Sequence, residues 1–287
     1  MIFLLAASLL WAFSFGLIKT QLVGLDPVTV ACSRLFLAAI LFLPWIVRCR
    51  LERSLIQRAM GLGVIQFGLM YIFYITSYTW LAAWQVALFT IFTPLFVVLL
   101  ADANEARFNS KHLLAALVAV AGAGLINWNS PYGADWRGVL VLQAANICFA
   151  WGQLRFGSLR KDAGGQDAAL VGWMTAGAFL MTFLTVILRS PHDVVEVVKW
   201  PPQALWTILY LGVIPTGLGF YLWNRGAART PDGVLAVANN LKVPLAVIVS
   251  WTVFGEETAY IRVVLGLVVI VLGLWWVRPA AVAENPE

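Results

Sequence analysis

The sequence predicts an all-α integral membrane protein with ten transmembrane helices, arranged as two inverted five-helix repeats around a central cavity. Of its 287 residues, 61% are hydrophobic and only 11% are charged, whereas soluble domains carry about 25% charged residues. The hydrophobic residues form long runs, and a helix of about 20 such residues crosses a bilayer core about 30 Å thick. The lipid bilayer is therefore the expected surrounding of this chain.

Charged residues and Pro/Gly turns divide the chain into ten apolar runs. The N-terminus, MIFLLAASLL, lacks a basic segment and a small-residue cleavage motif, so we expect a first span and not a removable signal. Ten spans leave no room for a soluble domain, and they divide into two halves, residues 1–130 and 131–287. The predicted spans are residues 2–22, 28–47, 60–80, 83–101, 112–129, 136–156, 168–189, 203–226, 233–253 and 258–278.

The positive charges predict how the chain crosses the membrane. With the N-terminus in the cytoplasm, the inner loops and the C-terminal end hold twelve Lys and Arg residues, and the outer loops hold five. Cytoplasmic loops are enriched in Lys and Arg, so both termini are expected to be cytoplasmic, in a bacterial inner membrane. The same rule explains the net charge of +5 without nucleic acid as a partner. Arg34 and Lys242 lie within spans and belong to neither side.

Catalytic and metal-binding motifs are absent from the sequence. The two histidines lie at loop edges and the three cysteines are scattered, which indicates neither a zinc site nor a disulfide frame. No H-E-x-x-H, G-x-S-x-G or Gly-rich phosphate loop occurs. All fourteen Asp and Glu residues fall in loops or at span ends. We therefore expect no enzyme, no metal or other cofactor, and no proton coupling through an intramembrane carboxylate.

Most tryptophans are expected at the membrane interfaces. Twelve of the fourteen, Trp223 among them, fall near span ends, where amphipathic indole rings are common. Trp11 and Trp173 lie near the midplane and need another explanation.

A weak internal repeat appears when the sequence is shifted by 150 residues. Pro94 in TPLFVVLL then falls on Pro244 in VPLAVIVS, and Tyr71 falls on Tyr221. Division at the loop NSPYGAD gives five spans in each half, and an odd number per half reverses the orientation of the second half. Inverted repeats are typical of secondary transporters, whose substrate site lies near the bilayer midplane.

Four motifs are shared with a known family: W-x-x-S-F at residues 11–15, SRLFLA at 33–38, the two span-end prolines, and FGEE at 254–257. Together they resemble the EamA family, the ten-helix branch of the drug/metabolite transporter superfamily. The aromatic-rich spans are similar to the YddG-type exporters of aromatic amino acids. Only the second half keeps the family's Gly-Glu after its proline, because the first half has DANEARF instead. The resemblance implies an exporter.

Lys242 is the main candidate for substrate binding. It is the tenth residue of the predicted span 233–253, too deep for headgroup water and without an acid in the membrane to pair with it. Pro244 leaves the carbonyl of Asn240 without its helical N–H, and Asn239 shares a helix face with Lys242. We expect this patch to receive a negative group of the substrate. The alternative is a lysine held by neighbouring carbonyls for packing alone.

The matching segment of the first half is FTIFTP at residues 89–94, where Pro94 is expected to free the carbonyl of Thr90.

Arg34 lies about two turns from the outer end of its span, so we expect a structural role, by snorkelling or by bonding helix carbonyls. Polar-tipped side chains near mid-depth are expected to form an aromatic-walled cavity, and three prolines are predicted hinges. The wall residues are Trp11, Tyr71, Tyr74 and Gln66, and the hinges are Pro94, Pro215 and Pro244.

The sequence therefore predicts a secondary transporter, by resemblance an exporter, of a small amphipathic metabolite that bears a carboxylate. An amino acid, including an aromatic one, is the expected cargo. The alternatives are a carrier of another organic anion, such as a nucleotide sugar or a phosphorylated metabolite, and a gated channel. The coupling ion and the oligomeric state are left open, a monomer included.

The predicted topology can be tested by labelling single cysteines with a membrane-impermeant maleimide. Cysteines at Ser54 and Gly165 should react only from the cytoplasmic side, and one at Tyr132 only from outside, because basic residues concentrate in the inner loops. The reverse pattern of labelling would overturn the orientation.

Overall fold

The computed structural model describes residues 2–104, 133–189, 191–230, 242–243 and 245–256, with five single positions between 261 and 272. Within these ranges the regular structure is helical and contains no strand. The α-helices are α1 (Ile2–Gln21), α2 (Pro27–Arg48), α3 (Arg53–Gly63), α4 (Met70–Ser77), α5 (Ala83–Phe89), α6 (Thr93–Asn104), α7 (Trp136–Asp162), α8 (Asp167–Arg189), α9 (His192–Glu196), α10 (Pro202–Leu211) and α11 (Gly219–Ala227).

Three of the predicted spans consist of two α-helices joined by a segment of different winding. One π turn, Val64–Leu69, joins α3 to α4, and a second π turn, Gly212–Leu218, joins α10 to α11. A 3-10 turn, Thr90–Phe92, joins α5 to α6. After the 150-residue shift, residues 64–69 fall on residues 214–219, so the two π turns occupy matching places in the third and eighth spans.

Seven of the ten predicted spans coincide with described helices. The third span begins at Arg53 and not at residue 60, because the charged residues that marked its predicted edge form the first turns of α3. Span 112–129 and most of spans 233–253 and 258–278 fall outside the described residues. Five described helices are long and apolar enough to cross a membrane: Ile2–Gln21, Pro27–Arg48, Arg53–Ser77, Asp167–Arg189 and Pro202–Ala227.

Helix α2 begins where the sequence places a capping residue followed by proline. The Asp26 carboxylate accepts hydrogen bonds from the Thr29 backbone N–H at 2.8 Å and from the Thr29 hydroxyl at 2.9 Å. Pro27 occupies the first turn, where its missing N–H costs nothing. Gly24 turns the chain between α1 and α2 with a φ of +98°, which glycine adopts without strain. These residues fix the start of the helix that carries Arg34.

The two predicted halves meet along α8, which packs against α2 and α3. A Cβ atom added to Gly63 would lie 1.9 Å from the carbonyl oxygen of Met174, and one added to Gly177 would lie 2.5 Å from that of Met60. Small residues allow membrane helices to approach to backbone contact. Helices from the first half are therefore held closely against the second.

The outward faces of these helices are apolar. Large hydrophobic side chains are exposed along α1, α2 and α8, in patches that a soluble monomer rarely shows. Such faces are expected of helices that contact lipid. Examples are Leu5, Leu9, Phe13, Phe36, Ile40, Leu43, Leu180, Leu184 and Leu188.

Replacing Gly63 with Ala should lower the free energy of unfolding by about 1–3 kcal/mol, the usual cost of overpacking. Gly61→Ala is the matched control, because a Cβ atom on Gly61 meets no atom within 4 Å. Unfolding of the purified protein in sodium dodecyl sulfate, followed by circular dichroism, measures both variants. Equal effects of the two substitutions would contradict the close packing of α3 on α8.

Candidate functional site

A cavity lies between the two predicted halves. Its walls come from α1, α2, α4, the 3-10 turn and α6 of the first half, and from α7, α11 and Lys242 of the second. Five of the residues predicted from the sequence line this cavity: Trp11, Tyr71, Tyr74, Thr90 and Lys242.

The Lys242 amine lies among three aromatic rings and is buried, with 6% of the residue exposed. Its Nζ atom is 5.2 Å from the ring centroid of Trp11, 5.4 Å from that of Phe149 and 5.8 Å from that of Trp223. In the described part of the chain, no carboxylate forms an ion pair with it. Aromatic faces attract a cation by about 0.5–2 kcal/mol each. The rings therefore stabilise a charged amine for which the described residues supply no counter-ion.

Arg34 is the second cation of the cavity, and only 1% of it is exposed. Its Nε donates to the Thr216 hydroxyl at 3.2 Å, and its Nη2 donates to that hydroxyl and to the Tyr71 hydroxyl, both at 3.1 Å. The guanidinium carbon lies 4.3 Å from the Tyr71 ring centroid. Nη1 is buried, and it has no hydrogen-bond partner in the part of the chain that the structure describes. Of the two structural roles expected for Arg34, snorkelling is not observed, because the guanidinium is buried and bonded to Thr216 of the second half.

The second π turn positions groups next to both cations. Pro215 has no N–H to donate to the carbonyl of Leu211, and the Thr216 hydroxyl donates to that carbonyl at 2.7 Å. The Trp11 indole N–H donates to the Pro215 carbonyl at 2.9 Å. One turn of helix thus orients the hydroxyl that binds the guanidinium and fixes a ring beside the lysine.

The carbonyl of Thr90 is not free, in contrast to the expectation from Pro94. It accepts the backbone N–H of Thr93, and the Thr93 hydroxyl also lies 2.8 Å from it. That hydroxyl is 3.2 Å from Oδ1 of Asn146, whose amide donates to the Phe89 carbonyl at 3.0 Å. The 3-10 turn and α7 therefore satisfy the backbone that the proline interrupts.

Gln66 does not line the cavity, although the sequence predicted it there. It is fully buried, its Nε2 lies 3.4 Å from Oδ1 of Asn224, and a Cβ atom on Gly152 would lie 2.2 Å from its Cγ. Its position within the first π turn directs it toward α7. The predicted residues that lie outside the described residues are Asn239, Asn240 and Pro244.

Four aromatic rings form the wall next to Lys242, and the sequence predicted only one of them. The Trp11 ring centroid is 6.2 Å from that of Phe149, 5.2 Å from that of Phe220 and 5.1 Å from that of Trp223. Trp223 is fully buried, so the interfacial position expected for it is wrong. Trp223 follows Phe220 by three residues, which places both rings on one helix face. This spacing could have indicated that the two rings lie together.

A carboxylate joins the halves on the side predicted to be outside. Glu256 accepts hydrogen bonds from the backbone N–H groups of Ala83 at 2.9 Å and Trp84 at 3.0 Å, at the start of α5. Phe254 packs on Gly16, where an added Cβ atom would lie 2.1 Å from its ring. A carboxylate at a helix N-terminus satisfies free N–H groups and complements the helix dipole. Glu256 is therefore a structural cap contributed across the interface.

Apolar helices packed around a cavity between two halves are typical of a polytopic membrane transporter. The chain belongs to the EamA-like transporter family, whose model matches residues 1–128 and 136–278. This match confirms the family resemblance inferred from the sequence. It also confirms the expectation that the chain is a transporter and not an enzyme.

Three relatives carry a transport function in their names. The biotin transporter of Salmonella typhimurium is 32% identical over 97% of this chain and 94% of its own length, and that of Escherichia coli is 31% identical over the same shares. The probable biotin transporter of Pseudomonas aeruginosa is 35% identical over 95% of this chain and 96% of its own. These names give no support to an amino acid as the cargo.

A solved structure described as "Crystal structure of protein" aligns with 99% of this chain and 98% of its own length, with a TM-score of 0.67. Its sequence identity of 19% makes this a likeness of fold alone.

Glu256→Ala should lower the free energy of unfolding by about 0.5–2 kcal/mol, the cost of a lost helix cap. Glu52→Ala is the matched control, because Glu52 stands at the N-cap of α3 without a side-chain hydrogen bond. Thermal denaturation in detergent ranks the two variants against the wild type. A loss no larger for Glu256→Ala than for Glu52→Ala would contradict the capping role.

Proposed function

We propose that this chain is a secondary transporter of biotin or of a close chemical relative. The observation that carries the proposal is the pair of buried cations, Lys242 and Arg34, in one aromatic cavity. Among the described residues, no carboxylate is bonded to either cation. An anionic substrate supplies the missing negative charge. The relatives named as biotin transporters support the same substrate.

Biotin combines three features that this cavity complements. Its carboxylate ends a flexible aliphatic chain, its fused rings include an apolar thioether, and its ureido group is polar and neutral. Lys242 supplies a cation for the carboxylate, and Trp11, Phe149 and Phe220 supply apolar surface for the rings. In this arrangement Lys242 receives the negative group of the substrate, as the sequence predicted.

Amino acids suit this cavity less well than a simple carboxylate does. A zwitterion brings an ammonium group beside two cations, and no Asp or Glu among the described residues lines the cavity to pair with it. Like charges repel each other more strongly in a site that contains little water. Biotin is therefore preferred to the amino acid that the sequence suggested. Phosphorylated metabolites, which could engage both cations, are compared directly in the experiment below.

Transport is proposed to follow alternating access, in which residues 1–130 and 131–287 move against each other around the cavity. Pro94 lies in the first turn of α6 directly after the 3-10 turn, and Pro215 lies within the second π turn. Both prolines are placed where the helix winding changes, and such places act as hinges. Together with Pro244 they are the proposed hinges.

Counterflow in proteoliposomes tests the proposed function. Liposomes loaded with unlabelled biotin should accumulate external radiolabelled biotin, which a channel does not do. Aromatic amino acids, sugar phosphates and biotin amide serve as competitors in the same assay. Accumulation of a competitor but not of biotin would contradict the proposal.

Lys242→Met keeps the side-chain length and removes the charge. A hydrogen bond to a charged group is worth about 1.5–3 kcal/mol, so the affinity for biotin should fall about tenfold to a hundredfold. Biotin amide, which has no carboxylate, should be affected much less. Titration calorimetry in detergent measures both ligands.

Lys199→Met is the matched control, because Lys199 is exposed and its Nζ lies 2.6 Å from Oε1 of Glu196. It should bind biotin as the wild type does. Unchanged biotin affinity in Lys242→Met, or a variant that fails to insert, would show that Lys242 is structural.

A further inference from the structure

The hydrogen-bonding capacity of Arg34 is only partly used. A guanidinium group has five N–H donors, one on Nε and two on each Nη. The Nε donor is taken by Thr216, and the two Nη2 donors are taken by Thr216 and Tyr71. Among the described residues Nη1 has no hydrogen-bond partner; it is buried, and Arg34 lines the cavity. Two donors therefore remain for a bound molecule.

The partners of Arg34 hold the guanidinium in one orientation. The Tyr71 hydroxyl accepts from Nη2 and lies 3.0 Å from the Thr216 hydroxyl, which in turn donates to the Leu211 carbonyl at 2.7 Å. The chain of hydrogen bonds from guanidinium to backbone is thus complete, and Nη2 has no donor left.

This arrangement prevents Arg34 from binding a carboxylate through two nitrogens. A bidentate contact uses Nη2 together with either Nη1 or Nε, and both Nη2 donors are engaged. Nη1 alone suits a single acceptor, such as a neutral carbonyl oxygen. The Lys242 ammonium is a point charge with rotatable donors, so it has no such restriction.

We propose that Arg34 binds a neutral carbonyl oxygen of the substrate, at the end opposite its carboxylate; in biotin this is the ureido oxygen. This inference rests on the proposed function. The two cations have different partners, because Arg34 is held by Tyr71 and Thr216, and neither residue is among the three rings around Lys242.

Arg34 then determines specificity, whereas Lys242 recognises charge. A substrate with a carbonyl acceptor at its far end satisfies the buried donors of Nη1. A molecule of the same shape with a donor or a cation there leaves them unpaired and adds repulsion, which gives strong discrimination.

The analogue 2-iminobiotin tests this role, because it keeps the carboxylate and fused rings of biotin and replaces the ureido oxygen with a protonated nitrogen. At pH 7 the wild type should bind biotin at least a hundredfold more tightly than 2-iminobiotin. Arg34→Gln should reduce this ratio to about tenfold or less. Lys242→Met should lower both affinities and leave the ratio unchanged. Quenching of tryptophan fluorescence reports binding.

The outcomes separate this inference from the proposed function. A wild type that binds neither ligand overturns the proposed function. A wild type that binds both ligands equally overturns only the role of Arg34, and no variant is needed to show it. A folded Arg34→Gln that keeps the hundredfold ratio overturns it as well.

Thr216→Val provides the same comparison if Arg34→Gln does not fold, because it removes the hydroxyl that orients the guanidinium. In this variant the ratio of the affinity for biotin to the affinity for 2-iminobiotin should fall at least threefold. An unchanged ratio would contradict the inference.

Discussion

The burial of two positive charges within packed helices is the constraint that shapes the rest of the site. A buried charge without a partner is costly, and the chain meets this cost differently for each cation. Three aromatic faces surround the Lys242 amine, while hydroxyl groups and a phenol ring hold the Arg34 guanidinium. Both environments stabilise the positive charge without neutralising it. The two cations therefore still attract an anion that enters the cavity.

Each cation also depends on a group from the other predicted half. Arg34 of the first half is bound by Thr216 of the second, and Lys242 of the second half packs on Trp11 of the first. The geometry of the site is therefore complete only when the halves lie together in this way. Any motion of one half against the other changes the affinity for an anion, which is the link that a transport cycle requires.

Five cavity residues could be predicted from the sequence, but the face that each side chain presents could not. Lys242 was identified because a lone cation in an apolar run needs only its depth to be noticed. Gln66 and Trp223 were misplaced, because the π turns alter the 3.6-residue period on which face arguments rest. The partners of Arg34 could not be predicted, because the hydroxyl that binds it lies 182 residues away in the chain.

The π turns have a consequence for how such pockets diversify. A π turn holds one more residue than the α-helical turn it replaces, and one residue corresponds to a rotation of about 100° around the helix axis. Deletion of Pro215 would allow a continuous α-helix and would rotate Phe220 away from the cavity and Trp223 away from Lys242. A relative could therefore acquire a different lining through a change in helix length alone. Column-by-column comparison of pocket residues would not reveal such a change.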